Sequence, residues 1–288
     1  MKKLQLLLLS LLSLSSFAQD LVVIDTAHIK CSYVYKEVKD TLKGSTREDL
    51  VYLQIGAEIS KCYSFYTHRF DSLTSSAEGW KELHAMVRAF SANWKDKDSY
   101  PAPAGDPFPR MTAYLYKNYP QDRMTVADRL VTDYYQYEED MNLQEWDLQE
   151  DSTKTILGHE CQKATCKFRG REWTAWFALD IPISDGPWKF SGLPGLIMEV
   201  YDRGNQQYFC INGMQKVDLE PIYYGIIGID SKRIEKTTHS VFLKALYGSL
   251  RNDGNPLAES IGLQLSPRKN PPRFDWIERE EKYWNRLL

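Results

Sequence analysis

The stretch from Gly186 to Val200, Gly-Pro-Trp-Lys-Phe-Ser-Gly-Leu-Pro-Gly-Leu-Ile-Met-Glu-Val, restricts this chain more than any other. Strand-like sequence runs into it and out of it. Between them lie Gly186, Gly192 and Gly195, the prolines 187 and 194, and two large aromatics. A proline cannot donate to a sheet ladder and cannot continue a helix. Glycines allow tight turns and close approach of backbone to backbone. The segment therefore reads as a tight bend joining two neighbouring strands. A phosphate cradle is excluded, because such a loop opens a helix and here a strand follows.

The strands on either side carry the sheet pattern. His159–Phe168 and Arg171–Ile181 flank Arg169-Gly170, a two-residue connection of hairpin length. In that register Cys166 faces Trp173 and Cys161 faces Ala178. Trp173, Ala175, Phe177, Leu179 and Ile181 share one face and form a core; Thr174, Trp176 and Asp180 share the other. Downstream, Leu196, Met198 and Val200 alternate with Ile197 and Glu199, Gly204-Asn205 makes a turn, and Gln206–Gln215 returns. Upstream, Leu21–Lys39 and Leu50–Tyr66 read as two strands of a hairpin, and Met111–Lys117 and Arg123–Val131 as another around Asn118-Tyr119-Pro120. The first hairpin would bring Cys31 beside Cys62, which makes that pair the expected disulfide.

Helical periodicity is confined to a few segments. Ser75–Asp96 has Ser75 as N-cap, Glu78 completing a capping box, and Trp80, Leu83, Val87, Phe90 and Trp94 as an apolar stripe. Lys236–Leu250 is a second helix, with Phe242, Ala245, Leu246, Ser249 and Leu250 on one side. Residues 98–110, with four prolines around Gly105, read as a loop leaving the first helix. Residues 252–272 form a loop before a last helix at Phe274–Leu288. The fold class is mainly β with a few helices (α+β), built on a large curved antiparallel sheet.

Residues 1–18 stand apart. Lys2 and Lys3 precede an apolar run from Leu4 to Leu14, and Ser16-Phe17-Ala18 has small residues at both positions a signal peptidase reads. The chain thus reads as exported, periplasmic or secreted, with a single domain over 19–288 and no lipid anchor. No later stretch is long and apolar enough to span a membrane. Among 288 residues, 36 Lys and Arg stand against 39 Asp and Glu, a balance that argues against nucleic acid as a partner. Export exposes the five cysteines to oxidation; an odd number leaves at least one unpaired. Their spacing fits no zinc pattern, and neither a metal nor another cofactor is expected.

No catalytic signature emerges. Gly-x-Ser-x-Gly, His-Glu-x-x-His and the Walker loop are absent, and the one Ser-x-x-Lys, at Ser266 and Lys269, lies in proline-rich loop. The leading reading is a non-enzymatic envelope module that binds an apolar or peptide-like ligand or an envelope partner, an outer-membrane protein among them. Trp176, Trp188 and Phe190 are its candidate ligand contacts. The alternatives are an interaction protein docking through the C-terminal helix, and a hydrolase assembling distant residues such as His159 and Glu199.

Gly192-Leu193-Pro194-Gly195-Leu196-Ile197 resembles the hallmark of the GLPGLI family of exported Bacteroidetes proteins. Cys161-Gln162-Lys163-Ala164-Thr165, Phe168-Arg169-Gly170-Arg171, Ala175-Trp176-Phe177, Ile181-Pro182 and Gly186-Pro187-Trp188-Lys189-Phe190 are similar to the family's usual run as well. The similarity is strong over Tyr134–Asp202 and loose elsewhere. Cys62, Cys166 and the Phe274-Asp275-Trp276-Ile277-Glu278 ending depart from the family pattern. The resemblance implies export and a bacterial envelope, and carries over no catalytic residue because the family's function is unknown. Residues 192–197 are accordingly expected to be structural. Strand order and the helix beside the early hairpin are also similar to the curved half-barrels of periplasmic lipoprotein carriers, an analogy of fold alone.

Overall fold

A computed structural model describes residues 21–41, 44–93, 107–130, 132–251 and 276–279. The expected signal peptide and most of the proline-rich loop and C-terminal helix lie outside these residues. Strands β1 (Val22–Asp40), β2 (Ser45–Ile55) and β3 (Ser60–Ser64) come first, followed by helices α1 (Phe65–Thr74) and α2 (Ala77–Asn93). Strands β4 (Tyr114–Lys117), β5 (Arg123–Leu130), β6 (Asp133–Asp140), β7 (Asp147–Ile156), β8 (His159–Phe168) and β9 (Arg171–Ala178) follow. After the glycine-proline bend come β10 (Leu196–Asp202), β11 (Gln207–Tyr224), β12 (Ile234–Lys236) and helix α3 (His239–Arg251). All twelve strands form one sheet in the order β12-β6-β5-β4-β3-β2-β1-β11-β10-β9-β8-β7. It is antiparallel throughout except for the short parallel pair β12–β6.

The β8–β9 hairpin forms in the expected register, Cys161 opposite Ala178 and Cys166 opposite Trp173. Its turn residues, Arg169 and Gly170, have φ of 50° and 70°, the left-handed pair that matches strand twist in a two-residue hairpin. Trp173, Ala175, Phe177 and Ile181 are buried as the alternation requires. Leu179 is exposed, because regular pairing ends at Ala178 and the face pattern ends with it. The bend does join neighbours: Leu196 pairs with Ala178 across β10 and β9.

Several expectations are corrected. Leu50–Tyr66 is two strands, broken where Gly56 N–H donates to Ile59 O at 2.9 Å. Leu53 of β2 pairs with Cys31 on one side and with Cys62 on the other. The two cysteines are thus a full strand apart, two steps of about 4.8 Å, too far for a disulfide. All five cysteines are unbonded, and burial pushes the Cys31 and Cys62 thiols up to about 12. The expected helix over Ser75–Asp96 begins at Ala77, and a separate helix, α1, outside the sequence expectation, precedes it. Ser75 closes α1, and Ser76 caps α2 by accepting from Gly79 N–H at 3.0 Å. Residues 276–279 are not helical and carry a bend at Ile277. In α3 the buried side is Phe242, Leu243 and Tyr247, with Leu246 partly buried, so the inward face is rotated from the expected one.

The sheet is strongly bowed. β6 and β9 are eight steps apart in strand order, about 40 Å if the sheet were flat. Yet Arg169, in the β8–β9 turn, is ion-paired with Glu139 of β6. Only a sheet curled back on itself allows that contact. The hollow so formed is filled by the chain's own bend and by α3. Trp188 and Phe190 are 3% and 0% exposed and pack among Phe168, Trp173 and Phe209.

A second cluster, rich in tyrosine, covers the opposite face of β3–β5, with Tyr63, Tyr114, Tyr116 and Ile226 buried. It encloses Lys61, whose Nζ donates to Tyr223 O at 2.7 Å and lies 5.3–5.4 Å from the Tyr63, Tyr114 and Tyr116 ring centres. Burial pulls this lysine down to about 7. The unfolded chain has its lysine near 10.4, so the stability linked to Lys61 is present above that value and is lost as pH falls toward 7. Melting temperature should therefore drop between pH 9 and pH 7, and Lys61→Met should flatten that slope. An unchanged slope in the variant, followed by circular dichroism, would exclude Lys61 as its source.

Candidate functional site

With the hollow occupied, an open concavity lies at one rim of the sheet. A cleft of about 490 Å³ forms there, where the β2–β3 turn, the β4–β5 loop, residues 141–142 and residues 182–185 converge beside His28 and Ile29 of β1. A register shift between Ala27 and Ile29 marks the β1 wall.

Each wall is fixed by an identifiable contact. Asp25 accepts from Glu58 N–H at 2.9 Å and Ile59 N–H at 2.8 Å, which ties the β2–β3 turn to β1. Burial pushes the Asp25 carboxyl up, but the N–H groups of Glu58, Ile59 and Thr26 outweigh it and hold the pKa below the usual value. Gly56 is required beside this carboxylate, since a Cβ there would lie 2.3 Å from Asp25 Oδ2. Asn118, at φ 59°, donates from Nδ2 to Glu58 O at 3.0 Å and accepts from Asp122 N–H at 2.7 Å. That amide joins the two loops.

The floor is a buried ion pair. Lys117 Nζ donates to Asp185 Oδ1 at 2.6 Å and to the carbonyls of Gly186 and Phe190 at 2.7 Å each. Its three protons are all used, so Lys117 anchors the bend and is not a free amine. Asp185 also accepts from Gly186 N–H at 2.7 Å. Ser184 Oγ accepts from Gly192 N–H at 3.2 Å, which links the cleft wall to the glycine-proline bend. Ile29, Ile59, Met141 and Ile183 supply apolar surface, while Asn118, Asn142, Glu58 and Asp122 supply polar groups. Among the described residues no group of three or more His, Cys, Asp or Glu side chains is placed to hold a metal ion.

The sequence-derived candidates fall elsewhere. Trp188 and Phe190 lie in the core with no face toward solvent. Trp176 is half-buried on the other face of the sheet, between Lys163 of β8 and Glu199 of β10. Lys154 Nζ sits 4.9 Å from its ring centre, and its indole Nε1 is buried without a hydrogen-bond partner among the described residues. His159 and Glu199 are not partners. His159 Nδ1 lies 2.7 Å from Asp180 Oδ2, whereas Glu199 is held by Lys154 and by Tyr208 Oη at 2.5 Å. In the family hexapeptide, Leu193, Gly195, Leu196 and Ile197 are buried while Gly192 and Pro194 are exposed. Tyr33 Oη donates to Ile197 O at 2.8 Å. The sequence reading missed the cleft. Its one local signal is the lysine at the end of Tyr-Leu-Tyr-Lys in β4, a cation in an otherwise buried strand.

Comparison with known proteins matches residues 168–199 to a family model described as "Protein of unknown function (Porph_ging)". That span contains the hexapeptide and the Gly-Pro-Trp-Lys-Phe segment, in keeping with the GLPGLI resemblance. No curated protein matches the chain. Two crystal structures of PNGF-II, in space groups C2 and P21, are similar at 11% identity, with TM-scores of 0.45 and 0.43. They cover 77% and 75% of this chain but 33% and 32% of their own, so the chain spans about a third of their length.

Proposed function

From the premise that residues 168–199 match a family of unknown function, we propose that the protein is an exported, non-enzymatic binding module. Its ligand is apolar or peptide-like and sits in the rim cleft. The observation that carries this reading is the construction of the cleft. Loops tied to the sheet by Asp25, Asn118 and Lys117 surround a concavity of about 490 Å³ with both apolar and amide surface. Mixed lining of that kind, on loops held by a rigid scaffold, suits a ligand with apolar side groups and backbone-like polar groups. Lys117 and Asp185 neutralise each other at the floor, which fits binding better than proton transfer.

The test is native mass spectrometry of protein purified from its own host. Wild type should carry a copurifying mass. Ala57→Trp should lose it without changing the melting temperature, because the new indole would fill the cleft from an exposed turn. A wild-type protein that arrives empty, or an Ala57→Trp variant that retains the mass, would end the proposal.

A further inference from the structure

The lining of the rim cleft is unbalanced in charge. Its inner wall is a single row of the sheet. Ile29, Ile55, Ser60 and Lys117 pair in turn across β1, β2, β3 and β4. Direct cross-strand partners share a face, and all four residues line the cleft. Ile29 and Ile55 are partly buried and present apolar surface. Lys117 has spent its three protons on Asp185, Gly186 O and Phe190 O. Ser60 is only 6% exposed. Its hydroxyl has no hydrogen-bond partner among the described residues, yet it is not sealed from solvent. A nearly buried hydroxyl left open on a cleft wall is placed to meet a polar group of a ligand.

The mouth is acidic. Glu58 on the β2–β3 turn and Asp122 on the β4–β5 loop both line the cleft and are exposed. The Asn118 amide holds the two positions together, donating to Glu58 O at 3.0 Å and accepting from Asp122 N–H at 2.7 Å. Across that amide the two main chains are no more than about 8 Å apart. The spacing is short enough for one cation to reach both side chains. Among the described residues neither carboxylate has an ion pair or hydrogen bond of its own. Neighbouring cations are engaged elsewhere: Arg123 pairs with Glu138 and Asp140, and Lys61 donates to Tyr223 O. Lys117 and Asp185 cancel, so Glu58 and Asp122 leave the lining with two negative charges in excess, His28 counted neutral.

Granted that the cleft is the binding site, we propose that it selects a peptide-like ligand with a basic side chain beside an apolar one. The cation sits between Glu58 and Asp122, and the apolar group lies against Ile29 and Ile55. A small cation would satisfy the acids alone. The isoleucines and the Ser60 hydroxyl call for a longer ligand, with apolar and main-chain groups flanking the charge.

The experiment follows fluorescence anisotropy of three labelled pentapeptides with blocked ends, Gly-Leu-Lys-Leu-Gly, Gly-Leu-Gln-Leu-Gly and Gly-Leu-Glu-Leu-Gly, titrated with the purified protein. The lysine peptide should bind saturably and roughly tenfold more tightly than the glutamine peptide, with the glutamate peptide weakest. Added salt should narrow the gap. Glu58→Gln combined with Asp122→Asn should bring the lysine peptide down to the affinity of the glutamine peptide. The same variant should leave the glutamine peptide and the melting temperature unchanged, since both side chains are exposed. Ser60→Ala should weaken the lysine and glutamine peptides by the same factor, because the hydroxyl answers the main chain they share. Equal binding of all three peptides, blocked by Ala57→Trp, would overturn the charge selection while leaving the cleft as a binding site. Binding that Ala57→Trp does not block, or no saturable binding at all, would remove the cleft reading as well. A lysine preference that survives the double variant, unchanged affinity in Ser60→Ala, or displacement of the lysine peptide by calcium but not by magnesium would each overturn the proposal.

Discussion

Gly195→Ala should destabilise the protein by about 4 kcal/mol. The added Cβ would lie 2.0 Å from Ala178 O and 2.7 Å from its carbonyl carbon. Neither atom can yield on its own. Ala178 pairs with Leu196 on β10 and with Cys161 on β8, and its carbonyl accepts from Ile181 N–H at 3.3 Å. Relief of the clash would part β9 from β10 at the point where the bend rejoins the sheet. Overpacking alone costs roughly 1–3 kcal/mol, and a buried carbonyl left without its donor adds roughly 1–3 more. Gly248→Ala is the control: it lies in α3 with nothing within 4 Å of the new Cβ, so helix propensity should make it neutral or stabilising by up to about 1 kcal/mol. Urea denaturation of the pair would check both. A Gly195→Ala midpoint equal to that of wild type would show that the close approach of β9 and the bend is not a constraint.

Lys189→Met is expected to cost about 3–5 kcal/mol, the usual penalty for removing one partner of a buried ion pair. Lys189 is 1% exposed and lies between two carboxylates, Glu139 Oε2 at 2.5 Å and Glu278 Oε1 at 2.6 Å. The Glu139 contact lies off the hydrogen-bonding direction, so charge attraction carries it. Burial pushes the Glu278 carboxyl up, but Lys189 first, then His239 and Arg169, outweigh burial and hold its pKa well below the usual range. Remove the ammonium and two buried acids face each other across a gap that methionine cannot neutralise. The variant should melt about 10 °C lower, given the usual 2–4 °C per kcal/mol for chains of this size. Adding Glu139→Gln should recover part of the loss, because the two sites are coupled. Simple additivity of the two substitutions would show that the cluster does not act as a unit.

The ease of reading each part of this fold tracks how local its cause is. The β8–β9 hairpin was legible to the residue, since strand alternation and the Arg169-Gly170 turn depend on neighbours in sequence. The helix over 239–251 was legible, though not its inward face, which depends on where β6 places Tyr135 and Tyr137 against Phe242. The Cys31–Cys62 expectation failed on a non-local point. The interruption at Gly56 reads as a bulge within one strand, and only the insertion of Leu53 between the two cysteines shows that the chain turns back there. Trp188 and Phe190 read as candidate ligand contacts in a glycine-proline loop; the bowing of the sheet around them puts them in the core.

The order of residues in this chain determined most of its strands and turns and the tight bend at 192–195, because each arises from dihedral preference, side-chain period or missing Cβ atoms within a few positions. The tertiary structure alone decided that the hollow is filled from within, that a cleft opens at the rim, and that Glu139, Arg169, Lys189, His239 and Glu278 meet. Those groups are scattered over some 140 positions, and charge attraction acts through space with no signature in local pattern. Only the curl of a twelve-stranded sheet brings them within reach of one another.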